Sequence, residues 1–402
     1  MGMKTKIMLG VLCLSALALP AADGAAENEA RLTAEVPKVF ARAETQFARL
    51  IAAMDERGVT TELPRSWTRG VYKTEPPIGW TTGFFPGSLW YLYAYTQKDE
   101  WKAAAESWTA RLEPARHYTK NHDMGFMFFC SYGNGIKYGG HGDDYKAVIF
   151  DAAAALATRW SEPMGLIRSW DNPKYMQFPV IIDSMMNLEM LEWVAKNGGS
   201  RAYDRLARRH ADKLDATHFR PDGTAYHVTD WNPRTGKIWA RYAWQGACVD
   251  GAWARGQAWC VYGYTMMYRE TDDARYLARA VKMADWILAA PNLPDDRIPY
   301  WDYQAAGIPD APRDASAAAV MASALLELAK YAGGEKAAAY RARAVEMLLS
   351  LASPAYLCAP GECGGFLLKH SVGNLPEDTE IDASINYADY YFLEALLRFA
   401  GR

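Results

Sequence analysis

Residues 313–331 read RDASAAAVMASALLELAKY, and residues 335–351 read EKAAAYRARAVEMLLSL. Both stretches carry the 3.6-residue period of an α-helix. In the first stretch, small and apolar side chains surround the helix, which predicts burial on most sides. The second stretch carries Lys336, Arg341 and Arg343 and is expected to keep one face in water. The two helices therefore form a hairpin with one inner and one outer member.

The same helical period recurs along the whole chain. It predicts twelve helices, at about residues 32–56, 81–96, 99–117, 123–133, 143–159, 183–197, 200–216, 252–269, 272–289, 313–331, 335–351 and 384–399. A short β-hairpin is predicted within 226–244. Six inner helices alternating with six outer ones predict an all-α fold, an (α/α)6 barrel of six helical hairpins. An open superhelix of helical repeats is the alternative, but the unequal spacing of the hairpins argues against it.

The N-terminus has the layout of a cleaved secretory signal. Lys4 and Lys6 precede an apolar run at 7–19, and small residues follow. The run is too short to span a membrane. We therefore expect a signal peptide over 1–26, a single catalytic domain over 27–402, and a secreted, periplasmic protein with no membrane span once the signal is removed.

Composition narrows the class of function. The net charge is −3 with no basic stripe, which argues against nucleic-acid binding. The chain has 15 Trp and 24 Tyr, and most of these fill a large core, but such rings also suit sugars. Cys358 and Cys363 flank a short loop and can pair in an oxidising compartment. The cysteine spacings match no metal site, so neither a metal nor a cofactor is expected.

Asp183 is the first candidate for chemistry. Met186, Asn187, Met190 and Leu191 follow it at positions that share one helical face. The carboxyl group therefore tops an apolar stripe that faces the core, where desolvation raises the pKa of an aspartate and keeps it protonated near neutrality. A general acid requires this state. On this evidence alone, a helix cap is an equal interpretation.

Asp123 is a second candidate carboxylate, and the apolar residues Met124, Phe126 and Met127 follow it. Two facing carboxylates push their pKa values apart, which gives one acid and one anion. Most glycoside hydrolases use such a pair of carboxyl groups to cleave glycosidic bonds. For Asp314, Ser316 and Asp382, which also precede or begin helices, we predict the cap.

Further candidates lie between 227 and 259. His227 is predicted to donate a hydrogen bond to a substrate hydroxyl or carboxylate. Arg255 is the natural partner of a substrate carboxylate, and the Trp253 and Trp259 rings can stack on sugars. On one regular helix Trp253 and Arg255 point apart, so part of this segment should be non-helical if both serve one site.

Six colinear stretches resemble the unsaturated glucuronyl hydrolases, glycoside hydrolase family 88. They run in the family's order and cover residues 79–84, 122–126, 182–188, 253–259, 312–319 and 387–396. The first stretch departs from the family, because Thr82 and Phe85 stand where members often have an acidic residue or Ser and a second Trp.

The resemblance implies a six-hairpin glycosidase fold and a specific reaction. The substrate is an unsaturated oligosaccharide left by a polysaccharide lyase, and an Asp protonates C4 of the terminal sugar's vinyl ether before water adds at C5. Asp183 matches that acid/base and Asp123 the second acidic residue, which is expected to stay ionised. The subsite for the unsaturated sugar is implied to be lined by Trp80, His227, Gln245, Trp253, Arg255 and Trp259.

Three other functions stay open on the sequence. They are an unsaturated rhamnogalacturonyl hydrolase acting on pectin fragments, a conventional inverting glycosidase, and a carbohydrate-binding protein on an inactive barrel. Residues 369–374 are expected to contact the sugar beyond the scissile bond. The sequence leaves the sulfation and linkage of that sugar open, and also the oligomeric state.

Overall fold

The computed structural model describes residues 22–171 and 175–402, so the apolar run at 7–19 of the predicted signal lies outside the described residues. Within those ranges the chain forms twelve α-helices: α1 Ala22–Glu56, α2 Phe84–Thr96, α3 Asp99–Ala110, α4 Asn134–Gly139, α5 Asp143–Ala157, α6 Leu188–Lys196, α7 Ala202–Thr217, α8 Ala254–Thr271, α9 Ala274–Leu288, α10 Ala315–Ala332, α11 Gly334–Leu351 and α12 Asn386–Phe399. A π-helix, Gly125–Gly133, precedes α4, and a 3-10 helix, Ile182–Asn187, precedes α6.

Six of these helical segments form a closed inner ring. In chain order they are α2, the π-helix, α6, α8, α10 and α12; each contacts the next, and α12 contacts α2. The remaining layer packs outside: α1 and α3 on α2, α5 on the π-helix, α7 on α6, α9 on α8 and α11 on α10. The predicted all-α barrel of six hairpins is therefore confirmed, and closure of the ring excludes the open superhelix.

The two layers differ in burial as their sequences predict. Every residue of α10 from Ala315 to Leu328 is buried. The outer helix α9 instead buries one stripe, at Tyr276, Ala280, Met283, Ala284 and Ile287, which is the spacing of an amphipathic helix. Among the described helices α10 alone has the length and apolar composition of a membrane span, but it is mostly buried within the protein, as a core helix is.

Eight short strands accompany the helices within the described residues: β1 Leu63–Thr68, β2 Val71–Glu75, β3 Trp160–Ser161, β4 Leu166–Ile167, β5 Pro179–Ile181, β6 Val228–Trp231, β7 Ile238–Tyr242 and β8 Ser384–Ile385. The predicted hairpin within 226–244 is confirmed as β6 and β7, and β5 adds a third antiparallel strand beside β6. The hairpin of β1 and β2, and its pairing with β8, were not predicted.

The cap predictions had mixed outcomes. Asp314 caps α10 and accepts a hydrogen bond from Ser316 N at 3.1 Å. Ser316 itself lies inside α10, so its prediction was wrong. Asp382 was also wrong, because it lies ahead of α12 with a left-handed φ of 52° and bonds His370 instead. Cys358 and Cys363 form a disulfide.

Candidate active site

The segments that begin the inner helices meet at one mouth of the barrel. Trp80, just before α2, stacks on Tyr387 of α12 with 5.2 Å between ring centroids, and lies 5.7 Å from Phe126 of the π-helix. Arg255 in the first turn of α8 donates to Asp314, the cap of α10. These contacts join segments of α2, α8, α10, α12 and the π-helix at one end of the barrel.

Several buried polar atoms without a hydrogen-bond partner lie on these segments. Within residues 22–171 and 175–402 they include Asp183 Oδ1, His122 Nδ1 and Nε2, Asn187 Nδ2, His227 Nε2, Arg255 Nε, Trp259 Nε1 and Tyr387 Oη. A buried polar atom that makes no hydrogen bond costs free energy, and folded proteins keep few of them. These atoms give the mouth donors and acceptors that a polar ligand could pair with.

Asp183 lies in the 3-10 helix that directly follows β5, and its side chain is 6% exposed. Burial raises the pKa of its carboxyl group to about 7, against the opposing effects of the Arg255 charge and of its own backbone N–H. This agrees with the protonated state predicted from the apolar stripe. No helix in this segment uses the Asp183 side chain as a cap, so the capping interpretation is wrong.

Asp123 faces the same mouth, with 15% of its side chain exposed and Oδ1 3.3 Å from His122 Nε2. Burial and the neighbouring Asp183 carboxyl raise its pKa well above the usual range, although Arg159 and Asn187 act in the opposite direction. The expectation that Asp123 simply stays ionised therefore disagrees with its depth in the fold. Two buried carboxyl groups that repel each other when both are ionised share a proton and titrate as a pair.

His227 presents an acceptor where a donor was predicted. Its Nδ1 lies 2.9 Å from Ala243 O and 3.2 Å from Gln245 N, two contacts that require opposite tautomers. We assign the proton to Nδ1, because the shorter contact would otherwise set two lone pairs against each other. Burial lowers the pKa of the ring to about 3, so the imidazole is neutral. Nε2 is then a buried lone pair without a partner among the described residues, ready to accept from a hydroxyl.

Arg255 and Gln245 hold a loop. Arg255, with no exposed surface, donates to Asp314 Oδ2 at 2.9 Å, Val372 O at 2.5 Å and Gly373 O at 2.7 Å. Gln245 Nε2 donates to Gly373 O at 2.9 Å. The two terminal nitrogens of the Arg255 guanidinium are therefore occupied and cannot pair with a substrate carboxylate, contrary to the prediction. Only Arg255 Nε is left without a partner.

The three predicted tryptophans differ in accessibility. Trp80 is half-buried. Trp253 is 3% exposed, with its ring centroid 4.3 Å from that of His227, and Trp259 has no exposed surface. Trp253 precedes α8 with non-helical backbone angles, so the predicted break between Trp253 and Arg255 is confirmed. Trp80 is the ring best placed to stack on a sugar.

One charged cluster at this mouth was missed. The Arg65 guanidinium lies 6.0 Å from the Trp80 ring centroid and pairs with Glu380 at 2.7 Å and Glu75 at 3.1 Å. Arg65 and Glu75 belong to the hairpin of β1 and β2. Because that hairpin was not predicted, nothing in the sequence brought these residues to the site.

A cavity of about 630 Å³ lies mainly among the C-terminal halves of the inner helices and extends inward to Gly125, Phe126 and Met186. Three of its charged side chains form a cluster: Arg269 pairs with Glu327 at 2.6 Å, and Arg398 pairs with Glu327 at 2.8 Å. The carboxyl pair and the unpartnered polar atoms lie at the other mouth. The Asp183 mouth is therefore the candidate active site.

Comparison with known proteins gives a consistent set of relatives. No protein-family model matches the chain. It is similar to the unsaturated glucuronyl hydrolase of Formosa agariphila, with 41% identity over 366 residues and 90% of each chain covered. A crystal structure of an unsaturated glucuronyl hydrolase specific for heparin superposes with a TM-score of 0.85 at 41% identity, covering 90% of this chain and 97% of the other. A mutant unsaturated glucuronyl hydrolase from Streptococcus agalactiae, complexed with dGlcA-GalNAc6S, superposes with a TM-score of 0.75 at 25% identity, covering 90% of this chain and 91% of the other.

Proposed function

Because this chain belongs to the unsaturated glucuronyl hydrolase family of glycoside hydrolases, we propose that it releases the 4,5-unsaturated uronic acid from the non-reducing end of lyase-derived oligosaccharides. The observation that carries the proposal is the burial of the Asp183 carboxyl group at the mouth that it shares with Asp123; this burial raises its pKa to about 7. A vinyl ether is a weak base, so its protonation needs an acid that still holds its proton near neutrality.

The reaction proceeds by hydration. Asp183 donates its proton to C4 of the C4–C5 double bond, and positive charge develops at C5. Water adds at C5 while the Asp183 carboxylate accepts a proton from it, which restores the acid. The resulting hemiketal opens by breaking the bond between C5 and the ring oxygen. The hemiacetal left at C1 then expels the rest of the oligosaccharide.

The other side chains bind and orient the sugar. Trp80, which is half-buried, packs against the pyranose ring, and His227 Nε2 accepts a hydrogen bond from a hydroxyl group. Asp123 shares the proton of the carboxyl pair and holds Asp183 in place. Arg255 and Gln245 fix the loop at 372–373 as a wall of the site. Two of the relatives act on or bind heparin- and chondroitin-type sugars, which favours glycosaminoglycan fragments as substrates.

The test is a panel of unsaturated disaccharides from chondroitin, heparin, ulvan and pectin lyases, followed by loss of the ultraviolet absorbance of the double bond. We expect turnover of at least one of them and none of the matching saturated glucuronides, which a conventional glycosidase would also cleave. Asp183→Asn should be inactive but still bind, whereas Asp143→Asn, at an exposed position, should match the wild type. Failure with every substrate, or activity of Asp183→Asn, would contradict the proposal.

We also propose that the protein is exported to the periplasm. The layout of residues 1–26 supports this, and so does the Cys358–Cys363 disulfide, since such bonds persist in oxidising compartments. N-terminal sequencing of the mature protein should show cleavage after Gly24 or Ala26. An intact Met1 in the cytoplasmic fraction would contradict it.

A further inference from the structure

We propose that Ser184 and His210 are positioning residues that hold Asp183 in the 3-10 geometry its chemistry requires; the inference rests on the proposed role of Asp183 as the acid. Ser184 is the next residue in the chain after Asp183. His210 belongs to the outer helix α7 and has no exposed surface. The pair connects the outer layer of the barrel to the proposed acid.

The hydrogen bonds around this pair fix the state of each atom. His210 Nδ1 accepts a hydrogen bond from Ile167 N at 3.0 Å, so the ring proton lies on Nε2. Nε2 donates to Ser184 Oγ at 2.7 Å, and Ser184 Oγ donates to Ile181 O at 2.7 Å. The chain of bonds therefore runs from β4, through His210 and Ser184, to the last residue of β5.

The same turn is clamped from two other sides by glycines. A Cβ on Gly263 of α8 would lie 2.5 Å from Met185 Cβ, and one on Gly125 of the π-helix would lie 2.7 Å from Asn187 Cα. Both distances are shorter than real carbon contacts, so the 3-10 turn fits against bare backbone on these sides. The hydrogen bond from His210 to Ser184 restrains the turn on a third side. Together, α8, the π-helix and α7 fix the position of the turn.

The turn needs such restraint because α6 continues directly from it. A 3-10 helix advances about 120° and 2.0 Å per residue, against 100° and 1.5 Å for an α-helix. If the turn rewound as an extension of α6, the five steps between Asp183 and Leu188 would swing the carboxyl group by roughly 100° and draw it back by roughly 2.5 Å. Asp183 would then leave the mouth that it shares with Asp123.

The buried bond to His210 opposes this rewinding. Rewinding would move Ser184 Oγ away from both of its present partners, His210 Nε2 and Ile181 O. His210 cannot follow Ser184, because His210 Nδ1 is also the acceptor for the Ile167 N–H. The pair is therefore expected to act on the orientation of Asp183, and through it on kcat, with little effect on the sugar contacts made by Trp80 and His227.

The experiment measures kcat, KM and the pH dependence of kcat/KM on whichever disaccharide is turned over, together with thermal unfolding. Ser184→Ala should lower kcat at least 10-fold with KM within threefold, since a displacement of about 1 Å can cost 100-fold in rate. Its upper pH limit should move to lower pH, because a carboxyl group turned toward water loses the desolvation that raises its pKa. Ser88→Ala is the matched control: Ser88 Oγ is also buried and donates to a backbone oxygen, Phe84 O at 2.8 Å, but has no link to Asp183.

A second pair of variants tests the partner and covers the case in which Ser184→Ala fails to fold. His210→Gln keeps an N–H donor near the position of Nε2 and should retain kcat within about threefold, whereas His210→Leu should behave like Ser184→Ala. Wild-type kcat and pH profile in Ser184→Ala, or equal losses in His210→Gln and His210→Leu, would overturn the positioning role while Asp183→Asn stays inactive. An active Asp183→Asn would instead overturn the proposed function itself.

Discussion

Arg255 Nη1 lies 2.9 Å from Asp314 Oδ2, and neither side chain has any exposed surface. The pair joins the first turn of α8 to the cap of α10 at the candidate active site. Because Arg255 also donates to Val372 O and Gly373 O, the ion pair and the loop at 372–373 depend on one another. A buried pair of this kind adds little net stability, but removing one partner leaves an uncompensated charge.

Asp314→Asn should therefore destabilise the protein by about 3–5 kcal/mol, while keeping the shape of the cap. Urea unfolding gives this quantity directly. Asp273→Asn is the matched control, because Asp273 also caps a helix, α9, but pairs with the exposed Arg275. Its effect should stay within about 0.5 kcal/mol. Equal effects of the two substitutions would show that the cap, and not the buried ion pair, accounts for the loss.

The pH dependence of kcat/KM should show an upper limit near pH 7. The active form of Asp183 is the protonated acid, and its pKa is raised to about 7. Activity is therefore retained below this pH and falls about tenfold per pH unit above it. Initial rates between pH 5 and 9 at low substrate concentration measure the limit. A constant kcat/KM up to pH 9 would exclude Asp183 as the acid.

His227→Phe should weaken substrate binding without changing the upper pH limit. Phe keeps an aromatic ring beside Trp253 but removes the acceptor at Nε2, which leaves a substrate hydroxyl unpaired at a cost of about 1–3 kcal/mol. This corresponds to a loss of roughly 5- to 150-fold in kcat/KM. The wild type should also show no limit near pH 6.5 from this ring, since burial lowers the pKa of His227 to about 3. A limit near pH 6.5 that His227→Phe removes would show a charged, donating imidazole.

Glu192→Gln should stabilise the protein increasingly as pH rises. Glu192 lies on α6 with no exposed surface, and burial together with the Asp204 carboxyl raises its pKa to about 8. The folded state thus holds a proton that the unfolded chain releases above pH 4.5, and wild-type stability falls as pH rises from there to about 8. Gln cannot ionise, so the variant should gain about 3–5 kcal/mol over the wild type at pH 8.5 relative to pH 5, since each pH unit between 5 and 8 contributes about 1.4 kcal/mol. Glu377→Gln, at an exposed position, should show no such trend.

The sequence was informative about the fold because the helical period is strong and the two layers differ in composition. Sequences such as the Ala-rich α10 indicate the inner ring of helices. Every predicted helix corresponds to a helical segment in the structure. The exceptions are local windings. The pattern of buried residues does not distinguish a π-helix at Gly125–Gly133, or a 3-10 helix at Ile182–Asn187, from an α-helix, because contacts from neighbouring segments decide the winding.

The site could be located from the sequence, but the bonding of its side chains could not. Periodicity placed Asp183 at a buried helix start, and the resemblance brought Trp80 and His227 to the same mouth. The direction of the His227 hydrogen bond depends on Ala243 O, and the occupation of Arg255 depends on a loop more than a hundred residues later in the chain. Partners this remote leave no periodic signal, so the donor and acceptor roles required the structure.

Closure of the ring also sets the order in which the molecule can be made. The first inner helix, α2, packs against the last, α12, and β1 pairs with β8 next to it. Until the ribosome has released the final hairpin, α2 has an uncovered apolar side, and contacts between residues so far apart in sequence form slowly. The barrel therefore cannot close from the N-terminus onward as the chain is made. Loss of α12 alone would uncover the apolar sides of both its neighbours in the ring, α2 and α10.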